Sequence, residues 1–425
     1  MDFEEMTEEL EKDKRFGRGV MVGILGTIVS CAVLLAAFTI FTDSRIDIRS
    51  SGGGKRTAGV ETALSDKVLQ KINELMGYIH LYFYDDVEEE QLADGIYSGL
   101  MQGLDDRYTE YYTPEEYADL QISATQNYYG IGAQLSQDRD SMQVTITHVY
   151  EGSPAEAAGL KDGDIVVMVE DIESTSMELS ELVTHIRGEE GTTVHLQIYR
   201  DGDNDYQEFD VERANIDLPT IEHKMLGEAV GYIHILEFGE PTVEQFEHAV
   251  RELTAAGMRG MILDVRDNPG GMITAVTGVL DEILPEGTVV YTQDKYGKRQ
   301  DYTSDGTTKM DLPIAVLMNG NSASASEILA GAIRDFEYGT LIGTKSFGKG
   351  VVQSIISLSD GDAIKLTTAK YFTPKGENIH GTGIEPDIEL EFEYQGEARE
   401  GYDEMKDNQV LKAIEVLNEE ISIQK

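Results

Sequence analysis

One cysteine, Cys31, stands in a chain of 425 residues, so no intrachain disulfide can staple the fold and no cysteine cluster can hold a metal. Proline is scarce, at nine residues, and no low-complexity tract is long enough to suggest disorder. Cations are scarce as well: 34 Lys and Arg face 79 Asp and Glu, a formal net charge of −45. Binding a nucleic acid requires Lys and Arg clustered against phosphate, so that class of partner is excluded. No His-Glu-x-x-His motif occurs, so a metalloprotease is excluded and neither a metal nor another cofactor is expected.

What is present is 40% hydrophobic residues, enough at this length for two or three domains with their own cores. Residues 19–42 carry no charge, and such a run matches the ~20 residues that cross a bilayer as a helix. It is longer than a signal-peptide core and no small-x-small site follows closely, so a retained single-span anchor is expected. Cys31 lies mid-span and reads as an ordinary helix residue. Charge does not fix the orientation, because Lys12, Lys14, Arg15 and Arg18 before the span are balanced by Arg45, Arg49, Lys55 and Arg56 after it.

Along the chain the reading is a short N-terminus (1–18), the span (19–42), a Gly/Ser-rich basic linker (43–60) and a helical cap (61–125). A β-rich module (126–212), an α/β core (213–395) and a C-terminal helical segment (396–425) follow. Helical spacing of Val68, Leu69, Ile72, Leu75, Met76 and Ile79 supports the cap, with a second helix over 88–103 and a third starting at Thr113-Pro114. Strand-like runs at 230–236, 260–265 and 314–318 alternate with helical ones at 242–256 and 325–334, which implies α/β layering. The last helix offers Val410, Leu411, Ile414 and Leu417 for packing.

Two segments carry chemistry. Residues 319–327 read Asn-Gly-Asn-Ser-Ala-Ser-Ala-Ser-Glu before an apolar helix; Ser324 and Glu327 have capping-box spacing, and a hydroxyl there sits where amides and the positive helix end meet an oxyanion. Residues 347–353 read Phe-Gly-Lys-Gly-Val-Val-Gln. On a strand Lys349, Val351 and Gln353 share a face, and a lysine becomes a base where burial or nearby cations lower its pKa. In the β-rich module, Tyr129, Gly130, Ile131 and Gly132 form a glycine-bracketed turn able to aim amides at a carboxylate.

Residues 151–164, Glu-Gly-Ser-Pro-Ala-Glu-Ala-Ala-Gly-Leu-Lys-Asp-Gly-Asp, resemble PDZ domains, which add a peptide as a strand to a sheet edge. With 104–105, 263–271 (Leu-Asp-Val-Arg-Asp-Asn-Pro-Gly-Gly), 381–387 and the two segments above, the chain from about residue 63 resembles the C-terminal processing peptidases, also called tail-specific proteases. The resemblance implies an α+β multidomain protein in which a PDZ-like module precedes an α/β serine-protease core. It implies an extracytoplasmic endopeptidase, hence an N-terminus inside the cell membrane. Carried over, Ser324 is the nucleophile, Lys349 its general base and Gln353 the residue orienting the lysine. The oxyanion falls to the backbone of Ala325 and of Gly270 or Gly271, peptide capture to residues 129–132, and Arg187 is a candidate gating residue whose simpler role is closing its helix. The implied partners are protein or peptide substrates with apolar C-termini, with homo-oligomerisation open. The family's Asp-Pro-Tyr or Asp-Pro-His is Asp106-Arg107-Tyr108 here, a departure expected to touch no catalytic position. Rival readings are a Ser/His/Asp hydrolase built on His380 or His234 with Asp264 or Asp387, and a non-catalytic PDZ scaffold.

Overall fold

The computed structural model describes residues 64–423 apart from 140, 204, 309 and 397–400. The span expected at 19–42 and the linker at 43–60 lie outside the described residues. Among the described residues no helix is long and apolar enough to cross a membrane. Two compact units divide between Asp86 and Val87. In the first, helix α1 (Asp66–Tyr82) follows the expected periodicity, yet none of its residues is buried, and Leu69, Leu75, Tyr78 and Leu81 remain exposed.

The second unit begins with α2 (Glu89–Gln102), β1 (Glu110–Tyr112) and α3 (Pro114–Thr125). At the start of α3, Thr113 Oγ1 accepts from the Glu116 amide at 3.3 Å and Glu116 Oε2 accepts from the Thr113 amide at 2.9 Å, a capping box with Pro114 at the first helical position. The β-rich module follows as β2 (Asn127–Gly130), β3 (Ala133–Gln137), β4 (Val144–Val149), α4 (Pro154–Ala158), β5 (Ile165–Val169), β6 (Ile172–Glu173), α5 (Leu179–Ile186), β7 (Thr193–Tyr199), β8 (Gln207–Glu212) and β9 (Ala214–Asp217). Its main sheet runs β3-β4-β5-β7-β8, with β6 on β5 and with β2 paired to β9. Alternation places Val194, Leu196 and Ile198 in one core with Val144, Ile146, Val166 and Leu182.

The α/β core comprises β10 (Ile221–Leu226), β11 (Val230–Ile235), α6 (Thr242–Ala255), β12 (Gly260–Asp264), α7 (Ile273–Ile283), β13 (Gly287–Asp294), β14 (Arg299–Ser304), β15 (Ile314–Met318), α8 (Ala325–Asp335), β16 (Thr340–Gly343), β17 (Val351–Ser357), β18 (Ala363–Phe372), β19 (Ile388–Glu389) and α9 (Asn408–Ile423). The central sheet is ordered β10-β11-β12-β15-β16-β19 and is parallel from β11 onward. Both faces are covered, as parallel sheets require: Met261, Leu263, Ile314, Val316 and Met318 join the core under α6, α7 and α8. Their neighbours Ile262, Ala315 and Leu317 pack against Val410, Ala413 and Leu417 of α9. The docking of α9 follows the sequence expectation, except that Leu411 stays at the surface while Ala413 and Ile421 are buried.

A second, antiparallel sheet escaped the sequence reading. It is ordered β1-β18-β13-β14, with β17 also on β18. Because β1 pairs with β18 (Tyr111 opposite Ile364), the turn at 104–109 is delivered to the strand pair that follows Lys349.

A buried ion network clamps the C-terminal segment onto the core. Arg266, just after β12, donates from Nε to Asp264 Oδ1 at 2.9 Å, and from Nη1 to Asp407 Oδ2 at 2.6 Å and to Gln409 Oε1 at 2.9 Å. Tyr232 of β11 donates to Asp264 Oδ2 at 2.7 Å. Asp407 Oδ1 in turn accepts from the Gln409 amide at 2.7 Å and the Val410 amide at 3.2 Å, satisfying the N-terminus of α9.

Candidate active site

Strand β15 ends at Met318, and residues 319–324 turn the chain into α8. Three serines crowd that turn, and their surroundings separate them. Ser322 Oγ donates to the Val265 carbonyl at 2.7 Å and Ser326 Oγ to the Asn268 carbonyl at 3.0 Å, both in buried positions. Ser324 is only partly buried and has φ 54°, ψ −111°, a conformation that costs an L-residue of order 1–3 kcal/mol and persists only where neighbours impose it. Asp267 is one of those neighbours: its Oδ1 accepts from Asn319 Nδ2 at 3.0 Å and Asn321 Nδ2 at 2.8 Å. The Asn321 bond, ahead of the Asn319 one, holds the Asp267 carboxyl below its usual range against its partial burial.

Glu327 does more than the capping box that sequence suggested. Its carboxylate is buried and accepts four hydrogen bonds. Oε2 takes the Ser324 amide at 2.9 Å and the Lys349 amide at 2.8 Å; Oε1 takes the Gly348 amide at 2.7 Å and Ser346 Oγ at 2.5 Å. One side chain thereby fixes the backbones of both segments that sequence picked out. Tyr371 reinforces the link from β18, its hydroxyl reaching the Ser324 carbonyl at 3.1 Å and the Lys349 carbonyl at 2.5 Å. Burial keeps that phenol protonated, well above its ordinary range.

The Lys349 amine lies 4.8 Å from the centre of the Tyr108 ring. Burial first, then the positive charges of Lys365 and Arg107, press its pKa below the ordinary lysine value, while Glu327 and Asp106 oppose them. Arg107 stacks on the same ring, 4.8 Å from its centre, and on Phe347 at 5.0 Å. The Asp106-Arg107-Tyr108 turn, expected from the sequence to touch no catalytic position, is carried by β1 pairing against the Lys349 side chain. The Gln353 side chain donates to Thr367 Oγ1 at 3.2 Å, where the β17–β18 register slips by one. Among the described residues no hydrogen bond joins Ser324 Oγ, the Lys349 amine and the Gln353 amide; such contacts are commonly loose until substrate arrives.

Sequence left open which glycine faces the oxyanion. The Gly270 amide already donates to Asn268 Oδ1 at 2.8 Å. Gly270 instead brings its backbone against Ser324: a Cβ there would lie 2.7 Å from Ser324 Cβ and 3.0 Å from the Ala325 nitrogen, at φ +112°. Gly271, with φ +131° and a hypothetical Cβ 2.2 Å from the Phe238 carbonyl oxygen, needs glycine as strictly. Among the described residues neither the Gly271 amide nor that of Ala325 donates a backbone hydrogen bond.

Of the Ser/His/Asp alternative, His380 stands edge-on to the Tyr108 ring, 6.4 Å between centres, but its candidate acids and His234 are engaged elsewhere. Asp264 is engaged by Arg266 and Tyr232, Asp387 Oδ2 accepts the Leu341 amide at 2.8 Å, and His234 lies 3.5 Å from Glu222.

In the β-rich module, β3 is an edge strand beside α5, and a concavity of about 630 Å³ opens between Leu135, Gln137, Met142 and Leu179. Gln137 closes one end, its Oε1 accepting the Leu179 amide at 2.9 Å. In the segment that precedes β3, Tyr129 is exposed and Ile131 buried. Gly130 is packed beneath the Tyr128 ring, whose carbon would lie 2.6 Å from an added Cβ, and Gly132 has φ +76°. Burial pushes the Tyr128 hydroxyl up to about 12. Arg187 sits 5.5 Å over that ring and 3.5 Å from Asp119 of α3, so it bridges the module to the cap.

This arrangement, a serine at a strained strand-to-helix turn beside a partly buried lysine and a separate module with an open sheet edge, defines a serine-peptidase class. Residues 229–390 match the family model for Peptidase family S41 and residues 129–212 that for a PDZ domain. The chain is 38% identical over 296 residues to a carboxyl-terminal-processing protease of Synechocystis sp., covering 69% of each. It is 35% identical over 329 residues to carboxy-terminal processing protease CtpB of Bacillus subtilis, covering 76% of this chain and 68% of the relative. The photosystem II D1 C-terminal processing protease structure is 28% identical with a TM-score of 0.44, covering 75% of this chain and 86% of that one. The chain belongs to the carboxy-terminal processing proteases of peptidase family S41, serine-type peptidases carrying a PDZ domain.

Proposed function

We propose that this protein is a membrane-anchored, extracytoplasmic endopeptidase that captures protein C-termini in its PDZ domain and cleaves near them with Ser324 and Lys349. The observation that carries the reading is the Glu327 carboxylate, which binds the amides of both residues in one buried site. Ser324 Oγ attacks the scissile carbonyl while the neutral Lys349 amine takes the proton. The oxyanion is met by the Ala325 and Gly271 amides. Lys349, now an ammonium, protonates the departing amine, and water releases the acyl-enzyme by the same route. Gln353 orients the lysine once substrate draws the site together. The substrate tail docks as an added strand on β3, its carboxylate and last apolar side chain at residues 129–132 and its upstream residues running toward the concavity beside α5. Arg187 couples that event to the cap through Asp119. Residues 19–42 supply the anchor, with the N-terminus inside, and the exposed apolar face of α1 is available for a homo-oligomer.

The test compares the full chain with Ser324→Ala and Lys349→Ala on an unfolded protein ending in apolar residues, with products read by mass spectrometry. Cleavage by the wild type alone, with both variants folded, upholds the dyad. Equal cleavage by all three rejects it, and no cleavage by any favours the scaffold reading.

A further inference from the structure

Away from the peptidase site, three metal-ligating side chains converge where the PDZ domain joins the core. His223 lies on β10, the edge strand of the central sheet, and His248 and Glu252 lie one turn apart on α6. Ligand atoms of the three all fall within 4.8 Å of one another. His223 Nε2 is 2.9 Å from Glu252 Oε2, and His248 Nε2 is 3.7 Å from Glu252 Oε1. Bonds of about 2.0–2.2 Å from a tetrahedral ion to nitrogen and oxygen set neighbouring ligand atoms about 3.4 Å apart, a spacing that these two distances bracket. The His223 and His248 rings stand 6.2 Å apart at 73°. Since the His248 side chain is more than half exposed, a rotamer adjustment brings its nitrogen in without moving backbone.

The surroundings fit an ion. A cavity of about 400 Å³, lined by Pro219, Ile221, Glu244, His223, His248 and Arg251, opens beside the cluster and admits water to a fourth position. The charge of Arg251 is met by Glu247 at 3.4 Å and by Glu244 on the same cavity wall. The same face of α6 already holds the connection between the two domains: Gln245 Oε1 accepts the Thr220 amide at 2.8 Å and Gln245 Nε2 donates to the Leu218 carbonyl at 2.9 Å. Gln245, His248 and Glu252 stand at i, i+3 and i+7, one stripe of the helix. We infer that His223, His248 and Glu252 form a zinc-class divalent metal site that clasps α6 to β10 at the PDZ-to-core junction. Two imidazoles and one carboxylate suit zinc and its borderline neighbours rather than magnesium or calcium, which take oxygen ligands. No sequence motif announced the site, because His223 and His248 are brought together only by the packing of α6 on β10.

The experiment uses the chelator-treated full chain. Titration calorimetry with zinc should show one ion bound per chain, and zinc should raise the first thermal unfolding midpoint by about 3 °C or more, a shift magnesium does not reproduce. His223→Gln, His248→Gln and Glu252→Gln should each weaken binding at least tenfold. His248→Gln, on an exposed helix face, keeps the fold, so its result stands if the other variants misfold. Absence of stoichiometric zinc binding, zinc binding that survives His248→Gln unchanged, or an equal effect of magnesium overturns the proposal.

Discussion

Arg107 should set the pH at which the peptidase switches on. It and the Lys349 amine each lie 4.8 Å from the centre of the Tyr108 ring, so they are separated by at most twice that distance. Two like charges about 10 Å apart repel by roughly 0.4 kcal/mol in water and 1.7 kcal/mol at an effective dielectric of 20. Arg107 is exposed, which pulls the value toward the lower end. At 1.36 kcal/mol per unit, removing the charge should raise the Lys349 pKa by roughly 0.3–1 unit. The sign follows from the proposed role of the lysine as a neutral base. Its pKa lies below the ordinary value in the folded protein, and loss of a neighbouring cation moves it back up, so the acidic limb of kcat/KM shifts to higher pH. Below the limb Arg107→Gln should be about 2- to 10-fold slower, at the alkaline plateau unchanged, and Arg107→Lys should restore the profile. The other charges facing the amine, Lys365, Glu327 and Asp106, are untouched by the change, so any shift reports on Arg107 alone. The shift should shrink at high salt. An acidic limb that stays put or moves to lower pH in Arg107→Gln would refute the reasoning.

Glu327→Gln should cost at least about 100-fold in kcat/KM with little change in KM, because a glutamine turns an NH2 toward donors that the carboxylate accepted. Each buried donor left unpaired costs about 1–3 kcal/mol, and activity within a few-fold of wild type would show that the carboxylate does not position the site. Arg266→Met strands two buried carboxylates, Asp264 and Asp407, and breaking such a network costs about 3–5 kcal/mol. Its urea midpoint should fall and α9 should become accessible to limited proteolysis; an unshifted midpoint would mean that the network contributes nothing.

What sequence revealed and what it hid divides by range. Periodicity and turn signals placed α1, α3, α8 and the strands β11, β12 and β15, because each is encoded within its own residues; β16 and β19, at four and two residues, were too short to show. Ser324 and Lys349 were legible through segments whose composition is unusual for a plain turn. The antiparallel sheet was not, since β13, β14, β17 and β18 mix exposed and buried positions without clean alternation. The meaning of Glu327 was half legible: Ser324 with Glu327 reads locally as a cap, whereas the bonds to Gly348 and Lys349 exist only once α8 and the 346–350 turn meet. Arg107 was dismissed for the same reason, because it reaches the lysine through a strand pairing 255 residues apart in sequence, Glu110 with Lys365.

These long-range contacts answer a difficulty that the composition poses. A chain of net charge −45 sits in its own negative field, which favours protonated lysine, and a general base must be neutral. The site opposes that field locally. Burial penalises the ammonium, Lys365 and Arg107 bring two of the scarce cations to bear on one amine, and Lys365 is itself held in place by Glu110 at 2.6 Å. Glu327 works against them through its charge, but it spends its lone pairs on backbone amides and a hydroxyl. It anchors the backbone at Lys349, and among the described residues it makes no hydrogen bond to the amine. In a protein this acidic, where the few cations are placed matters more than how many there are, and on the proposed mechanism the turn carrying Arg107 helps to keep the lysine neutral.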